Sequence, residues 1–345
     1  MVKSLLRRHN NSSRVVSTEN TNTTAPFVSV VIPAHNEAEY IADCIQSVMN
    51  AGHPRDRLEV LVIDHASSDA TRNLALRAGA SVLSLDTGYI GKVRNTGLGA
   101  AAGDYIAYVD ADCLVPPTWL KSAVALLEAD PTNGAVGGPC LSPKTGNWIE
   151  NALAPSSVTA GVTRSATALA TSSLIARTGL LKVIGGFNET LISGEDDDLS
   201  NRIRQRDLTL KWASDCHIVH RGYPKTFWGV VKKEIWHGSN HIDVRSGFDL
   251  TLLLTIVFLL ASSGTLALIP VTFLHPSARI TRMLDLSILA QIIPPTLYAL
   301  KRFKQWPRDW YLLPRFAIVG YGYFFGHGLG VLSNVCRKLR PQRVG

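Results

Sequence analysis

Short, continuous runs of apolar residues alternate with helical patterns over the first third of the chain. Continuous apolar runs of this length are typical of strands that are covered on both faces. They predict strands at residues 27–33, 59–64, 81–85 and 105–109. Helical spacing between them predicts helices through Ile41, Ile45 and Val48 and over residues 70–78 and 93–102. This alternation predicts an α/β fold, with a mostly parallel, doubly wound sheet of the Rossmann-like kind and helices on both faces.

The pattern is less regular over residues 114–220 but remains that of a folded domain. It predicts helices at 118–127 and 195–206 and strands at 135–138, 167–175 and 209–213. We therefore expect one domain over residues 27–222. Residues 1–26 are rich in Asn, Ser and Thr and lack an apolar stretch, which predicts a disordered polar tail rather than a cleaved signal peptide.

Long apolar segments follow this domain. Residues 250–278 carry no charged side chain and exceed the roughly 20 residues that a bilayer crossing needs. Residues 286–300, which include Pro294 and Pro295, and residues 316–336 are the other uncharged stretches. Within residues 249–336 we expect membrane segments at about 250–274, 284–300 and 314–336. The pattern leaves the middle one open as a third span, a re-entrant hairpin or an interfacial helix.

Between the domain and these segments, residues 223–248 have an amphipathic pattern. Apolar residues recur at helical spacing at Phe227, Trp228, Val231 and Ile235, with Lys225, Lys232 and Lys233 beside them. The pattern predicts a helix that lies in a membrane surface, and an ordinary packed helix is the alternative.

The net charge of +8 is unevenly distributed. Residues 1–220 hold 19 Lys and Arg against 22 Asp and Glu, a balance of −3, whereas residues 221–345 hold 16 against 5, a balance of +11. The basic residues, including a basic tail at 337–345, thus accompany the apolar segments and indicate anionic membrane lipids rather than nucleic acid as the partner. The five scattered cysteines include no C-x-x-C pair, so neither a disulfide framework nor a zinc site is indicated.

Four polar segments lie at predicted strand ends or at a helix start. They are residues 33–37 (PAHNE), 64–69 (DHASSD), 110–112 (DAD) and 194–198 (GEDDD). Each by itself is typical of a solvated or capping turn. However, the carboxyl ends of parallel strands meet at one edge of a sheet, which is where open α/β sheets bind ligands. We therefore expect the four segments to form one site.

Two of these segments have residue types that suit a transfer reaction. Asp110 and Asp112 leave a strand two residues apart, so both carboxylates can address one cation such as Mg²⁺ or Mn²⁺. Such a cation stabilises a departing diphosphate. The carboxylates at 195–198 suit the positive end of a helix. We expect their mutual repulsion to raise at least one pKa, which suits a general base at neutral pH.

The chain resembles glycosyltransferase family 2, a family of inverting enzymes with the GT-A type fold of nucleotide-diphospho-sugar transferases. The resemblance covers about residues 28–220 and consists of five blocks in the same order. They are VSVVIPAHNEAEYI at 28–41, VIDHASSDAT at 62–71, KVRNTGLGAAAGDYIAYVDAD at 92–112, GGFNE at 185–189 and GEDDDLSNRIR at 194–204.

The resemblance implies direct displacement at the anomeric carbon by a deprotonated acceptor hydroxyl, with Mn²⁺ or Mg²⁺ as cofactor. It also implies a set of nucleotide-sugar-binding residues: Pro33, His35 and Glu37 bordering the nucleotide, Asp64 at the base, Arg94 near the nucleotide or its phosphates, and Asp110 at the ribose. By the same resemblance Asp112 is the metal ligand and Asp196 the catalytic base, with Glu195 beside it.

Two features depart from the family's pattern. The family often has a second acidic residue and then Gly after Asp64, where this chain has His65 and Ala66. Processive members carry Gln-x-x-Arg-Trp before their membrane segments, and KKEIW at 232–236 retains only Trp236. Transfer of one sugar is therefore favoured over polymerisation.

We expect a membrane-attached, metal-dependent glycosyltransferase that moves one sugar from a nucleotide-diphospho-sugar to an acceptor hydroxyl or lipid phosphate, in cell-surface polysaccharide or glycolipid synthesis. Its expected partners are the donor, a glycan or lipid-linked acceptor and membrane lipids. The expected location is the plasma or inner membrane, with the catalytic domain facing the cytoplasm. A sugar nucleotidyltransferase or a catalytically inactive membrane-bound relative is the alternative. An oxidoreductase is disfavoured because Gly97 and Gly99 lie late in a predicted helix, whereas a dinucleotide fingerprint opens one.

Overall fold

The computed structural model describes residues 25–239, 249–305 and 310–339. Its strands are β1 (Val28–Ala34), β2 (Leu58–Asp64), β3 (Ser81–Ser84), β4 (Tyr105–Tyr108), β5 (Cys113–Leu114), β6 (Asn133–Gly137), β7 (Cys140–Leu141), β8 (Thr163–Ala166), β9 (Ile175–Arg177), β10 (Thr209–Ala213) and β11 (Ile218–His220). Its helices are α1 (Ile41–Met49), α2 (Thr71–Arg77), α3 (Ile90–Ala100), α4 (Trp119–Ala129), α5 (Trp148–Leu153), α6 (Thr178–Val183), α7 (Glu195–Arg204), α8 (Phe227–Gly238), α9 (Leu250–Leu274), α10 (Ala278–Gln305) and α11 (Leu313–Leu339).

The larger sheet has eight strands in the order β3-β2-β1-β4-β9-β6-β10-β8. β3, β2, β1 and β4 are parallel neighbours, and β6 is parallel to β10. β9 and β8 run antiparallel to the strands beside them. A smaller sheet has the order β5-β11-β7. The predicted fold, a mostly parallel α/β sheet followed by apolar helices, is confirmed.

Both faces of the larger sheet are covered, which explains why its strands are continuously apolar. On β1, Val30 and Ile32 face a cluster that includes residues of α1 and α4. Val31, between them, faces a second cluster with residues of α3 and α7. Every residue of β1 is buried. Polar side chains that could bind a ligand are therefore found where the strands end.

The strand predicted over residues 167–175 is wrong. A short 3₁₀ turn at Thr171–Ser173 interrupts this region, between β8 and β9. The Ser173 hydroxyl accepts a hydrogen bond from the Gly138 N–H (3.1 Å) and donates one to the Gly138 carbonyl (3.0 Å). Such hydroxyl bonds to backbone compete with strand ladders. The other predicted elements of the domain have bounds that differ by up to three residues.

The three C-terminal helices α9, α10 and α11 pack against one another. Each is long and apolar enough to span a membrane. Helix α8 packs closely on α11, because Gly326 and Gly330 of α11 lie against the α8 backbone. A Cβ at these positions would come within 2.4 Å of the Val231 carbonyl oxygen and 2.3 Å of the Ile235 carbonyl oxygen. Small residues allow such close helix contacts.

The predicted amphipathic helix is present as α8, and it is packed on one side. Val231 faces α11, whereas Trp228 and Trp236 are 66% and 43% exposed. The packed-helix alternative therefore holds for one face, and the location of the other face in a membrane surface stays a prediction. Residues 240–248, and residues 1–24 and 340–345 of the predicted tails, lie outside the described residues.

The turn after β2 contains a non-glycine residue in the left-handed backbone region. Ala66 has a φ of 51°. A Cβ in this conformation costs about 1–2 kcal/mol, whereas glycine adopts it readily. The structure thus gives a backbone reason for the glycine that the family often has at this position.

We expect Ala66→Gly to raise the free energy of unfolding by about 0.5–1 kcal/mol, because relief of backbone strain exceeds the added entropy of the unfolded chain. Urea denaturation of the purified chain in detergent measures this change. Ala125→Gly, at an exposed position of α4, is the matched control and should lower the free energy of unfolding by about 1 kcal/mol. Destabilisation by both substitutions would contradict the strain at Ala66.

Candidate active site

Hydrogen bonds from side chains connect the turns after β1 and β2. The Asn36 Oδ1 accepts a hydrogen bond from the Ser68 N–H (2.8 Å), and the Ser67 hydroxyl accepts one from the Asn36 N–H (2.9 Å). Asp69 accepts another from the Ala38 N–H (3.1 Å). The polar segments at 33–37 and 64–69 therefore form one rigid rim at the carboxyl edge of the sheet.

Four residues expected at the nucleotide lie in this rim: Pro33, His35, Glu37 and Asp64. Pro33 is buried in β1, and the exposed His35 donates from Nδ1 to the His65 carbonyl oxygen (2.6 Å). Asp64 ends β2 and is buried, and its Oδ1 has no hydrogen-bond partner in the part of the chain that the structure describes. A buried acceptor without a partner is unfavourable. Asp64 can therefore accept a hydrogen bond from a ligand at this edge.

Asp110 and Asp112 follow β4, as the sequence predicts, and a histidine from elsewhere in the chain joins them. His220, the last residue of β11, has its Nδ1 3.7 Å from an Asp112 carboxylate oxygen. Ligand atoms of Asp110, Cys113 and His220 lie within 4.8 Å of one another. His220 is not among the site residues predicted from the sequence. Its one signal was its place directly after an apolar pair that resembles a strand end.

This donor set fits a hard divalent cation. The His220 Nδ1 is buried and has no hydrogen-bond partner among the described residues, as expected for an unmet ligand atom. Burial lowers the pKa of His220, which favours the neutral imidazole that binds metals. Burial also raises the pKa of the Cys113 thiol, which disfavours the thiolate. Carboxylate and imidazole ligands remain, and both are common ligands of divalent metal ions.

Glu37 adds to the negative charge at this position. Burial, followed by the charges of Asp112 and Asp110, raises the pKa of Glu37 to about 7. A bound cation would reduce the repulsion between these carboxylates. The electrostatics and the donor atoms therefore indicate the same candidate cation site, at Asp110, Asp112 and His220.

Arg94 connects the aspartates to helix α7. It is buried in α3, with its Nη2 3.2 Å from an Asp110 carboxylate oxygen, and its Nη1 donates to Glu195. Its guanidinium also lies over the Phe187 ring, 5.6 Å from the centroid. The structure thus shows Arg94 as a bridge between Asp110 and Glu195, and its expected place near the nucleotide or its phosphates stays a prediction.

Residues 185–189 (GGFNE) fix the position of Arg94, because they bind the helix α3 that carries it. The Asn95 side chain accepts from the Phe187 N–H (2.8 Å) and donates to the Phe187 carbonyl and to Glu189 (2.9 Å each). A Cβ at Gly91 would come within 2.6 Å of the Asn188 carbonyl oxygen, so glycine is required for this contact. The block therefore acts on the site through α3.

The four carboxylates at the start of α7 have different surroundings. Glu195 pairs with Arg94, and Asp198 pairs with Arg202 at 2.7 Å. Burial, followed by the charges of Glu195 and Asp197, raises the pKa of Asp196 to about 7. This is the direction that repulsion within the cluster predicts. A carboxylate with a pKa near 7 suits general base catalysis at neutral pH.

Helix α8 also contacts this site, which the sequence analysis did not anticipate. The Tyr223 ring stacks on His220 with centroids 4.5 Å apart, and Lys233 of α8 lies 4.9 Å from the Tyr223 centroid. The Ser193 hydroxyl, just before α7, donates to the Trp236 carbonyl (2.9 Å). The helix adjoining the apolar segments thus supports both the candidate metal ligand and the loop before Asp196.

Residues 29–168 match the sequence profile described as Glycosyl transferase family 2. Over these residues the chain is similar to glycosyl transferase family 2. Glycosyltransferase AglE of Haloferax volcanii is 29% identical over 233 residues, which cover 64% of this chain and 75% of AglE. The β-monoglucosyldiacylglycerol synthase of Trichormus variabilis is 26% identical over 241 residues, which cover 62% of this chain and 48% of that enzyme.

The fold is similar to that of a solved glycosyltransferase. The mannosyltransferase PcManGT from Pyrobaculum calidifontis, in complex with GDP-Man and Mn²⁺, superposes with a TM-score of 0.58 at 21% identity. The superposition covers 92% of this chain and 89% of PcManGT. Together with the family match, this confirms the GT-A type fold and the glycosyltransferase function, and a sugar nucleotidyltransferase is not favoured.

We expect Arg94→Ala to lower the free energy of unfolding by about 3 kcal/mol or more, because it leaves Glu195 buried without its counter-charge. Urea denaturation of the purified chain in detergent measures the loss. Arg204→Ala, on the exposed side of α7, is the control and should change it by no more than about 0.5 kcal/mol. Similar small effects of both substitutions would contradict the structural role of Arg94.

Proposed function

We propose that the chain transfers one sugar from a nucleotide-diphospho-sugar to an acceptor at a membrane surface, with inversion at the anomeric carbon. The observation that carries this proposal is the Arg94 bridge. It brings Asp110, at the end of β4, together with the first turn of α7, where Asp196 lies. A donor bound at the strand ends would therefore lie beside a carboxylate able to accept a proton.

The proposed metal ligands are Asp112 and His220, with Asp110 beside them, and the cofactor is Mn²⁺ or Mg²⁺. The donor set and the charge at Glu37 support this assignment, and the Mn²⁺ bound to PcManGT agrees with it. When bound, such a cation stabilises the negative charge of the departing nucleoside diphosphate. Pro33, His35, Glu37 and Asp64 are proposed to border the nucleotide.

Asp196 is the proposed general base. It occupies the first turn of α7, where burial and then the charges of its neighbours raise its pKa to about 7. Glu195 is instead paired with Arg94 and is proposed to position that turn. In the reaction, Asp196 takes the proton of the acceptor hydroxyl as the oxygen attacks the anomeric carbon. The sugar–phosphate bond breaks, and its electron pair leaves with the diphosphate.

The proposed acceptor is lipid-linked or a membrane glycan, and the proposed process is cell-surface polysaccharide or glycolipid synthesis. Helices α9, α10 and α11 support a membrane location, and the name of the Trichormus relative agrees with a lipid product. We propose residues 27–222 as the catalytic domain, 223–248 as the interface region and 249–336 as the membrane part. The proposed orientation has the catalytic domain in the cytoplasm, where nucleotide sugars are available.

Metal-dependent donor binding tests the proposed metal site. UDP-, GDP- and dTDP-sugars are titrated into the purified chain with and without Mn²⁺ in a calorimeter. We expect one class to bind with Mn²⁺, and we expect Asp112→Asn and His220→Ala each to weaken that binding at least about tenfold. His217→Ala, at a histidine that bonds the Ser214 carbonyl, should leave it unchanged. Equal donor affinity without Mn²⁺ would contradict the proposal.

The pH dependence of turnover tests Asp196. Because its pKa is about 7, the base is protonated below that pH, so kcat should rise about tenfold per pH unit up to neutrality and then level off. Asp196→Asn should lower kcat by about 10²-fold or more while donor affinity is retained. Asp198→Asn, which breaks only the pair with Arg202, should change kcat little. A kcat that is constant from pH 5 to 8 would rule out Asp196 as the base.

A further inference from the structure

A large cavity lies between the catalytic domain and the start of α11. Its volume is about 1160 Å³, comparable to a site for a ligand of considerable size. One wall consists of α5, residues 155–162, and Arg164 of β8 with Trp212 of β10, and the other consists of residues 311–316. The second wall belongs to an apolar helix long enough to span a membrane. The cavity therefore opens where a membrane surface would meet the catalytic domain.

The charged residues that line this cavity are arginines. Arg164 and Arg315 line it, and no Asp or Glu is among its described lining residues. Neither arginine has an ion pair in the ranges that the structure describes, and both side chains are exposed. Arg164 lies over the Trp212 ring, 4.4 Å from the centroid, which holds its guanidinium at the wall. Two unpaired guanidinium groups favour an anion, and phosphate matches their planar geometry.

Aromatic rings complete the lining. Trp148 is 38% exposed at the start of α5, and Tyr311 is 54% exposed before α11. Trp212, under Arg164, also faces the cavity. Rings of this kind have an apolar body and a polar edge, which suits the boundary between a lipid and its head group. The lining therefore matches an amphiphile with a phosphate group better than it matches a free ion.

The cavity lies beside the candidate active site. Pro139 lines it, and the next residue, Cys140, accepts a hydrogen bond from the Tyr223 hydroxyl at 3.4 Å. Tyr223 in turn stacks on His220, the candidate metal ligand. The cavity is thus connected to the candidate metal ligand through Cys140 and Tyr223.

We propose that this cavity binds the phosphate-bearing head of a membrane-embedded acceptor lipid. Arg164 and Arg315 bind the phosphate, and Trp148 and Trp212 contact the groups on either side of it. The proposal rests on the proposed transfer reaction, because it names the class of acceptor. It assigns a role to a region outside the five blocks that resemble the family.

Binding of a phosphorylated isoprenoid tests the proposal. Farnesyl phosphate, farnesol and inorganic phosphate are titrated separately by calorimetry into the full chain in phosphatidylcholine nanodiscs. We expect farnesyl phosphate to bind and the other two to bind at least about tenfold more weakly, because each lacks one part of the ligand. Farnesol binding as tightly as farnesyl phosphate would overturn the phosphate assignment, and equal binding of inorganic phosphate would overturn the lipid assignment.

Substitutions of the two arginines test whether farnesyl phosphate binds in the cavity. Arg164→Gln and Arg315→Gln should each weaken farnesyl phosphate binding about tenfold, the loss of one charge-assisted contact. Arg77→Gln, at an exposed arginine on α2 far along the sheet, should not change it. Unchanged affinity in both cavity variants would overturn the proposal.

A second readout separates this proposal from the transfer reaction. Nucleotide-sugar binding with Mn²⁺ should be the same in Arg164→Gln, Arg315→Gln and the unmodified chain. If a variant lost both farnesyl phosphate binding and nucleotide binding, the loss would mean a folding defect. The charge-retaining variants Arg164→Lys and Arg315→Lys then test the proposal, since they should restore both kinds of binding. Failure of the unmodified chain to bind any nucleotide sugar would instead contradict the proposed function.

Discussion

The buried guanidinium of Arg94 is the interaction on which the candidate site depends. It contacts Asp110 at the end of β4 and Glu195 at the start of α7, two segments that are 85 residues apart in the chain. Without it, two carboxylates would face each other in a largely buried place, which is strongly unfavourable. With it, the strand ends and the first turn of α7 have a fixed relative position.

Several features of the domain serve this one position. Gly91 and Asn95 of α3 allow the helix to lie against residues 185–189, and Phe187 contacts the guanidinium. Glu195 is paired with Arg94, whereas burial, followed by the charges of Glu195 and Asp197, raises the pKa of Asp196. In the proposed reaction, Glu195 is thus the positioning carboxylate and the adjacent Asp196 is the one that exchanges a proton.

The apolar helices are connected to the site through α8. Close glycine contacts fix α8 to α11, and Lys233 and the Trp236 carbonyl then contact Tyr223 and Ser193. The part of the chain suited to a membrane is therefore in direct contact with the part that carries the chemistry. A glycosyltransferase with an acceptor in the membrane needs such a connection, because its two substrates come from different phases.

Local patterns predicted most of the fold and part of the site. The apolar run of β1 and the aspartates after β4 are recognisable because their signals lie in neighbouring residues. His220 was missed because its meeting with Asp112 depends on the pairing of β11 with β5. These strands have 103 residues between them and are too short to have a clear pattern. The turn at Ser173 was missed for a similar reason, since its hydroxyl bonds Gly138 on a distant segment. Long-range pairing, rather than local propensity, determined both.

The most direct test of the central claim is an experimental structure of the full chain with a nucleoside diphosphate and Mn²⁺, with the metal located by its anomalous scattering. We predict a peak of anomalous scattering from the metal between Asp112 and His220, with Arg94 still bridging Asp110 and Glu195. A structure in which Arg94 has left Glu195 and binds the diphosphate, or in which the metal lies away from His220, would contradict it.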